Sequence, residues 1–292
     1  MNRLSTRNRM LVGLTLFSMF FGAGNLIFPP YLGAMAGTKT PLAMLGFAIT
    51  AIGFPILGVI AVAHAGSLDE LAGRVHPVFA KVFTLLIYLS IGPCLAIPRT
   101  ASTSFEMAVT PFLSGDTSKT MIQLIYSILF FAVAFYVSLS PEKLTHLLGR
   151  FTSPCLLILI GIMFVGCLLA PPAGYGESYG LYAQSPVLQG FLGGYQTMDA
   201  IAALNFGIII AMNINNRGVT ERSAVVKEIT YAGWIAGLIF LVVYGAIAHV
   251  GAVAGGAYGE LADGTAALTA ITRDLFGNAG IVLLGLIFLL AC

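Results

Sequence analysis

The first apolar run of this chain is interrupted in its middle. Leu11 to Phe21 is apolar enough to enter a bilayer and Leu26 to Ala36 can finish the crossing, yet the centre reads Phe20-Phe21-Gly22-Ala23-Gly24-Asn25-Leu26-Ile27-Phe28-Pro29-Pro30. Each glycine costs a helix roughly 1 kcal/mol relative to alanine. The run is therefore expected to form two half-helices joined by a short unwound segment. In hydrocarbon, unwound backbone is tolerated only where protein or a water-filled cavity surrounds it, and a ligand is then its natural partner. A second reading stays open at this point: Gly22, Gly24, Gly33 and Gly37 are also the small residues that let membrane helices approach closely.

The rest of the chain extends the membrane reading. Of 292 residues, 58% are hydrophobic and 9% charged, against roughly 25% charged in a soluble domain; this predicts an all-α polytopic membrane protein. A net charge of +2, spread over short connections, offers no footing for nucleic acid. The four cysteines, Cys94, Cys155, Cys167 and Cys292, sit in apolar runs without paired spacing and read as core residues. With about 20 apolar residues needed per crossing, a single transmembrane domain over 1–292 is expected. Its spans are about 9–37 (broken), 41–65, 77–109, 121–139, 147–170, 187–214 (broken), 229–250 and 281–292, with an interfacial helix around Ala266 to Phe276. The first run is too long for a signal peptide and is expected to be retained. The last span is only a dozen residues long, which predicts a partial version of a longer protein.

Charge fixes a direction. With the amino terminus in the cytoplasm, the inner connections carry Arg3, Arg7, Arg9, Arg74, Lys81, Lys143, Arg150, Arg217, Arg222 and Lys227, and the outer ones Lys39, Lys119 and Arg273. Ten against three satisfies the positive-inside rule. Arg99 belongs to neither side, because it lies within span 3. There Pro98 is expected to kink the helix, and Glu106, two turns on, shares a face with Arg99. A salt bridge or vestibule network is one reading of the two, and a gating or substrate-orienting role is the other. His64, His146 and His249 lie near span ends and His76 in a cytoplasmic loop; Tyr88, Tyr126 and Trp234 are placed provisionally within the bundle.

Span 6 repeats the anomaly. Gly193-Gly194-Tyr195-Gln196-Thr197-Met198-Asp199 interrupts an apolar segment near its centre. Broken crossings five spans apart run in opposite directions, the pattern expected when two inverted five-helix repeats meet at a midplane site. An acid inside a span is costly enough to face a cavity or a partner, so Asp199 is read as meeting a cation or capping the second half-helix. Half-helix amino termini favour an anionic group, while unwound carbonyls and half-helix carboxyl ends favour a cation. A zwitterion beside an ion satisfies both. No nucleophile and base pair or metal cluster has usable spacing, which argues against an enzyme.

Four motifs carry a family resemblance. Phe21-Gly22-Ala23-Gly24-Asn25-Leu26-Ile27-Phe28-Pro29-Pro30, Gly92-Pro93 with Pro98-Arg99-Thr100-Ala101 through Ser104-Phe105-Glu106, Gly194-Tyr195-Gln196-Thr197-Met198-Asp199 and Arg217-Gly218-Val219-Thr220 resemble the signatures of the bacterial branched-chain amino acid:cation symporters. The resemblance implies a leucine-transporter-like inverted-repeat fold with broken helices 1 and 6, incomplete after the start of span 8. It also implies a place in the bacterial inner membrane and import of leucine, isoleucine or valine with sodium or a proton, without a cofactor. By the same resemblance the substrate is held by Gly22, Ala23, Gly24, Asn25, Tyr195, Thr197 and Asp199, the carboxylate on the amides of Ala23, Gly24 and Asn25. A cation site draws on the Ser18 and Phe21 carbonyls and on Asn25. Its other half is supplied in that superfamily by the eighth span, beyond Cys292. Alternating access is the implied mechanism; the competing readings are a transport-inactive remnant or assembly partner, and a channel.

Overall fold

The computed structural model describes residues 3–113, 118–139 and 151–292. The start of the fifth expected span, with Lys143, His146 and Arg150, lies outside the described residues. Within them the chain is helical and multi-pass: four helices are long and apolar enough to cross a membrane, or five if the bent pair in span 6 counts as one.

The first half-helix, α1 (Thr6–Phe20), starts where the Ser5 hydroxyl accepts the Asn8 amide and stops where Phe21 and Gly22 turn extended. The second, α2 (Ala23–Ala36), contains both Pro29 and Pro30. The unwound piece is thus shorter than the glycine pattern implies. Neither proline has the N–H that would return to the carbonyl four residues back, so those of Asn25 and Leu26 lose their helical partners. Gly37 reverses the chain with φ of 50° and leads into α3 (Thr40–Ala48) and α4 (Phe54–Ala65). After the short α5 (Leu68–Gly73) come α6 (Pro77–Leu89), α7 (Ala96–Ala108) and α8 (Lys119–Ser138). The kink expected at Pro98 lies earlier, where Gly92 and Leu95 leave helical geometry. Pro98 sits in the first turn of α7, where an absent amide forfeits no helical bond.

Beyond α9 (Ser153–Leu169) and a single-turn α10 (Gly180–Gln184), span 6 consists of α11 (Pro186–Tyr195) and α12 (Asp199–Asn215), bent by 45° at Gln196–Met198. The seventh span is the long α13 (Arg222–Tyr258); α14 (Gly264–Phe276) and α15 (Asn278–Ala291) follow.

Packing is reciprocal. Both halves of span 1, α1 and α2, lie against α13, and both halves of span 6, α11 and α12, lie against the second span, α3 and α4. Glycine sets the approach in each seam. A Cβ at Gly33 would lie 1.9 Å from the Ala248 carbonyl oxygen, and one at Gly190 would lie 1.8 Å from that of Ala43. The C-terminal carbonyls of α2 are met by the loop before α10: Ser178 Oγ donates to Ala36 and the Tyr179 amide to Met35, so two of the groups left open at the helix end find partners.

Several side chains stand elsewhere than expected. Cys94 is exposed and Cys155 and Cys292 are half-buried, leaving Cys167 as the cysteine of the core. Tyr88 and Trp234 project from the bundle, as does most of α8, whereas Tyr126 donates to Ser104 Oγ at 2.8 Å. Outward apolar surface is expected of helices facing lipid.

Candidate functional site

The two breaks meet. Asn25, in the first turn of α2, donates from Nδ2 to Asp199 Oδ2 at 2.6 Å across 174 residues of sequence. The same Nδ2 donates to the Tyr244 hydroxyl of α13, which in turn donates to Asp199 Oδ2 at 3.3 Å. All three side chains are buried, with relative exposures of 2% for Asn25, 4% for Asp199 and 0% for Tyr244. In a low dielectric, a polar network of this kind is stable only when its members satisfy one another. The triangle ties the broken spans to the seventh.

Asn25 also closes its own helix. Its Oδ1 accepts the Gly22 amide at 2.9 Å, and its backbone N–H bonds the Gly22 carbonyl at 3.1 Å. Two donors at the break are thereby used, and the Ser18 carbonyl loses the amide that would have closed the last turn of α1. The amides of Ala23 and Gly24 remain as the orphan donors of the helix start. Of the three amides assigned to a carboxylate by resemblance, the Asn25 amide is therefore engaged.

At the second break the hydrogen-bond pattern differs. Thr197 Oγ1 donates to the Gly194 carbonyl at 2.8 Å and accepts the Asp199 amide at 3.4 Å. Met198 has φ of 69°, the one non-glycine in the left-handed region among the described residues, a conformation that costs roughly 1–2 kcal/mol for an L-residue. Strain of this kind persists where surrounding contacts dictate it. Met198, not Asp199, occupies the capping position, and the Asp199 carboxylate is directed across to spans 1 and 7.

A cavity of about 530 Å³ opens between the breaks. Ser18, Phe21, Gly22, Ala23, Gly24 and Asn25 line it from one side and Thr197, Met198 and Asp199 from the other, with Phe206, Leu156 and Ile97 among its apolar walls. Tyr195 is not on that wall; it lies at the end of α11 with half its surface exposed. The Phe21 ring packs in the core against Phe17 and Phe240, at centroid distances of 5.1 and 6.1 Å, which leaves its backbone to face the cavity.

Arg99 enters the same cavity from α7. Its Nη2 lies 3.5 Å from the Thr197 carbonyl, and its guanidinium sits 5.9 Å from the Phe28 ring centroid. Glu106 is exposed and makes no ion pair with it; among the described residues the ion pair joins Arg9 to Glu228 at 2.6 Å. Seven helical residues span about 10 Å along the axis, so a shared face does not bring the two head groups together. Tyr244 is the member of the cluster that sequence reasoning passed over. Its one signal was a hydroxyl in an apolar span, since a buried tyrosine oxygen needs a partner.

The family described as branched-chain amino acid transport protein matches this chain over residues 5–292. The chain belongs to that family. Branched-chain amino acid permease BraB of Bacillus subtilis is 38% identical over 290 residues, covering 99% of this chain and 65% of its own. BrnQ of the same species is 39% identical over 292 residues, covering 99% and 66%. The branched-chain amino acid transport system 2 carrier protein of Pseudomonas aeruginosa is 38% identical over 293 residues, covering 100% and 66%. The chain thus spans about two thirds of the length of these relatives. Their names are those of permeases and carriers, and the family is one of transporters rather than enzymes. No solved structure matches the chain.

Proposed function

We propose that this protein is a secondary active transporter that imports leucine, isoleucine and valine by symport with a cation, sodium in the first instance, through alternating access. The observation that carries the reading is the 2.6 Å bond between Asn25 and Asp199, because it joins two helix breaks at one cavity. The substrate lies against Gly22, Ala23, Gly24, Asn25, Thr197 and Asp199, its side chain toward the apolar wall. A cation is held near the Ser18 and Phe21 carbonyls. The reciprocal seams support a leucine-transporter-like inverted repeat, since exchanging spans 1 and 2 with 6 and 7 maps one seam onto the other. The ten-to-three charge distribution supports a cytoplasmic amino terminus in the inner membrane.

Coupling requires that the amino acid bind the ion-loaded state better, because a ligand of equal affinity for two states shifts neither. Reconstitution of the purified protein in proteoliposomes tests this directly. Saturable uptake of labelled leucine, driven by an inward sodium gradient and competed by isoleucine and valine, is the expected result. Gly24→Leu is expected to abolish that uptake while the protein still inserts; normal uptake by the variant would remove the proposed site.

A further inference from the structure

Two charged side chains line the cavity, and they do not pair with each other. Arg99 and Asp199 both contribute to its wall, yet no ion pair joins them. Asp199 is supplied with neutral donors by Asn25 and Tyr244. Arg99 is served far less well. Its single hydrogen bond, to the Thr197 carbonyl, is 3.5 Å long, at the limit at which such a contact counts. Its Nε is buried and has no hydrogen-bond partner.

A guanidinium cannot shed its charge, and a charge inside a membrane protein is retained at a cost that normally calls for a partner. The guanidinium can lie against the first turn of α2 because residue 24 is glycine: a Cβ there would lie 2.8 Å from Arg99 Nη2 and 3.2 Å from the Thr197 carbonyl oxygen. The planar fork of arginine matches a carboxylate through two parallel bonds. A cavity with a cation on one wall and a separately satisfied anion on another complements a molecule carrying both charges.

We infer that Arg99 is the counter-ion of the substrate carboxylate, with Asp199 receiving the ammonium group, so that the pair selects free zwitterionic α-amino acids. This assigns a binding role to a residue of the third span and rests on the transport reading only in taking the ligand to be an amino acid.

The test is equilibrium binding to the purified protein with leucine and two truncated probes: 3-methylbutylamine, which lacks the carboxylate, and 4-methylvalerate, which lacks the amine. Arg99→Gln is expected to weaken leucine by about 10- to 100-fold, the loss of a charge-assisted bond, and to leave 3-methylbutylamine unchanged. Asp199→Asn should do the converse, weakening the amine and sparing 4-methylvalerate. Arg99→Lys keeps the charge without the fork and should restore leucine in part. Equal weakening of leucine and 3-methylbutylamine by Arg99→Gln, or no weakening of either, overturns the assignment. If Arg99→Gln does not fold, the leucine-to-amine affinity ratio of Arg99→Lys decides: a lowered ratio supports the inference and an unchanged one overturns it. Should the wild type bind another zwitterionic amino acid in place of leucine with the same dependence on Arg99, the inference stands and the branched-chain reading fails. A wild type that binds no amino acid removes both.

Discussion

Helix α2 uses glycine in two ways along its length. At Gly33 the backbones of α2 and α13 touch: the missing Cβ would fall 1.9 Å from one backbone carbonyl and 2.8 Å from the Ala252 amide nitrogen. At Gly24, on the cavity edge, the missing Cβ would lie 2.8 Å from the end of a long, movable side chain, Arg99, and 3.2 Å from the Thr197 carbonyl oxygen. At Gly22 it meets nothing nearer than 3.9 Å. The same residue type is therefore a packing requirement in one turn and a lining of the cavity edge in another. What decides between them is how closely backbone, which cannot yield, opposes the missing Cβ: 1.9 Å at Gly33 against 3.2 Å at Gly24, where the nearer atom belongs to a side chain, which can yield.

Three substitutions grade this contrast by thermal unfolding of the detergent-purified protein. Gly33→Ala carries the largest effect: the helices must separate, at about 3 kcal/mol, the upper end of the usual cost of overpacking. That corresponds to a midpoint lowered on the order of 6 to 12 °C. Gly24→Ala comes next. Arg99 swings aside, stability changes by less than about 1 kcal/mol, and the loss is read in leucine affinity, expected to fall roughly tenfold for about 1.4 kcal/mol. Gly22→Ala is the smallest, within about 0.5 kcal/mol, because its backbone is extended and accepts any side chain. A Gly22→Ala midpoint as low as that of Gly33→Ala would break the distinction between seam and cavity edge, and a Gly24→Ala protein that is both unstable and unable to bind would blur it.

Much of the architecture was legible in the chain. Apolar runs gave the crossings, and glycine-rich interruptions in spans 1 and 6 located the breaks to within a few residues. Asp199 stood out because an acid in an apolar span needs a reason. The kink of the third span was misplaced to Pro98, since a proline reads as a breaker wherever it stands, while in a first turn it breaks nothing. Gly193 and Gly194 read as part of the second break, yet they lie within α11. At Gly194 a Cβ would meet Thr50 Oγ1 at 2.3 Å, a close approach to span 2 rather than a loss of helix. The pairing of Arg99 with Glu106 followed from helical period alone. In the fold the arginine turns instead toward Thr197, in the break of span 6 nearly a hundred residues away in sequence.

Sequence alone determined that this is a multi-pass helical membrane protein with two crossings that cannot run unbroken. Those properties follow from local chemistry, the solubility of side chains in lipid and the helical cost of glycine. Which glycines serve packing, that Tyr244 completes the Asn25 and Asp199 pair, and that Arg99 faces the cavity were decided by tertiary structure. Each depends on what a distant segment brings within a few ångströms, and one-dimensional order does not encode that neighbour.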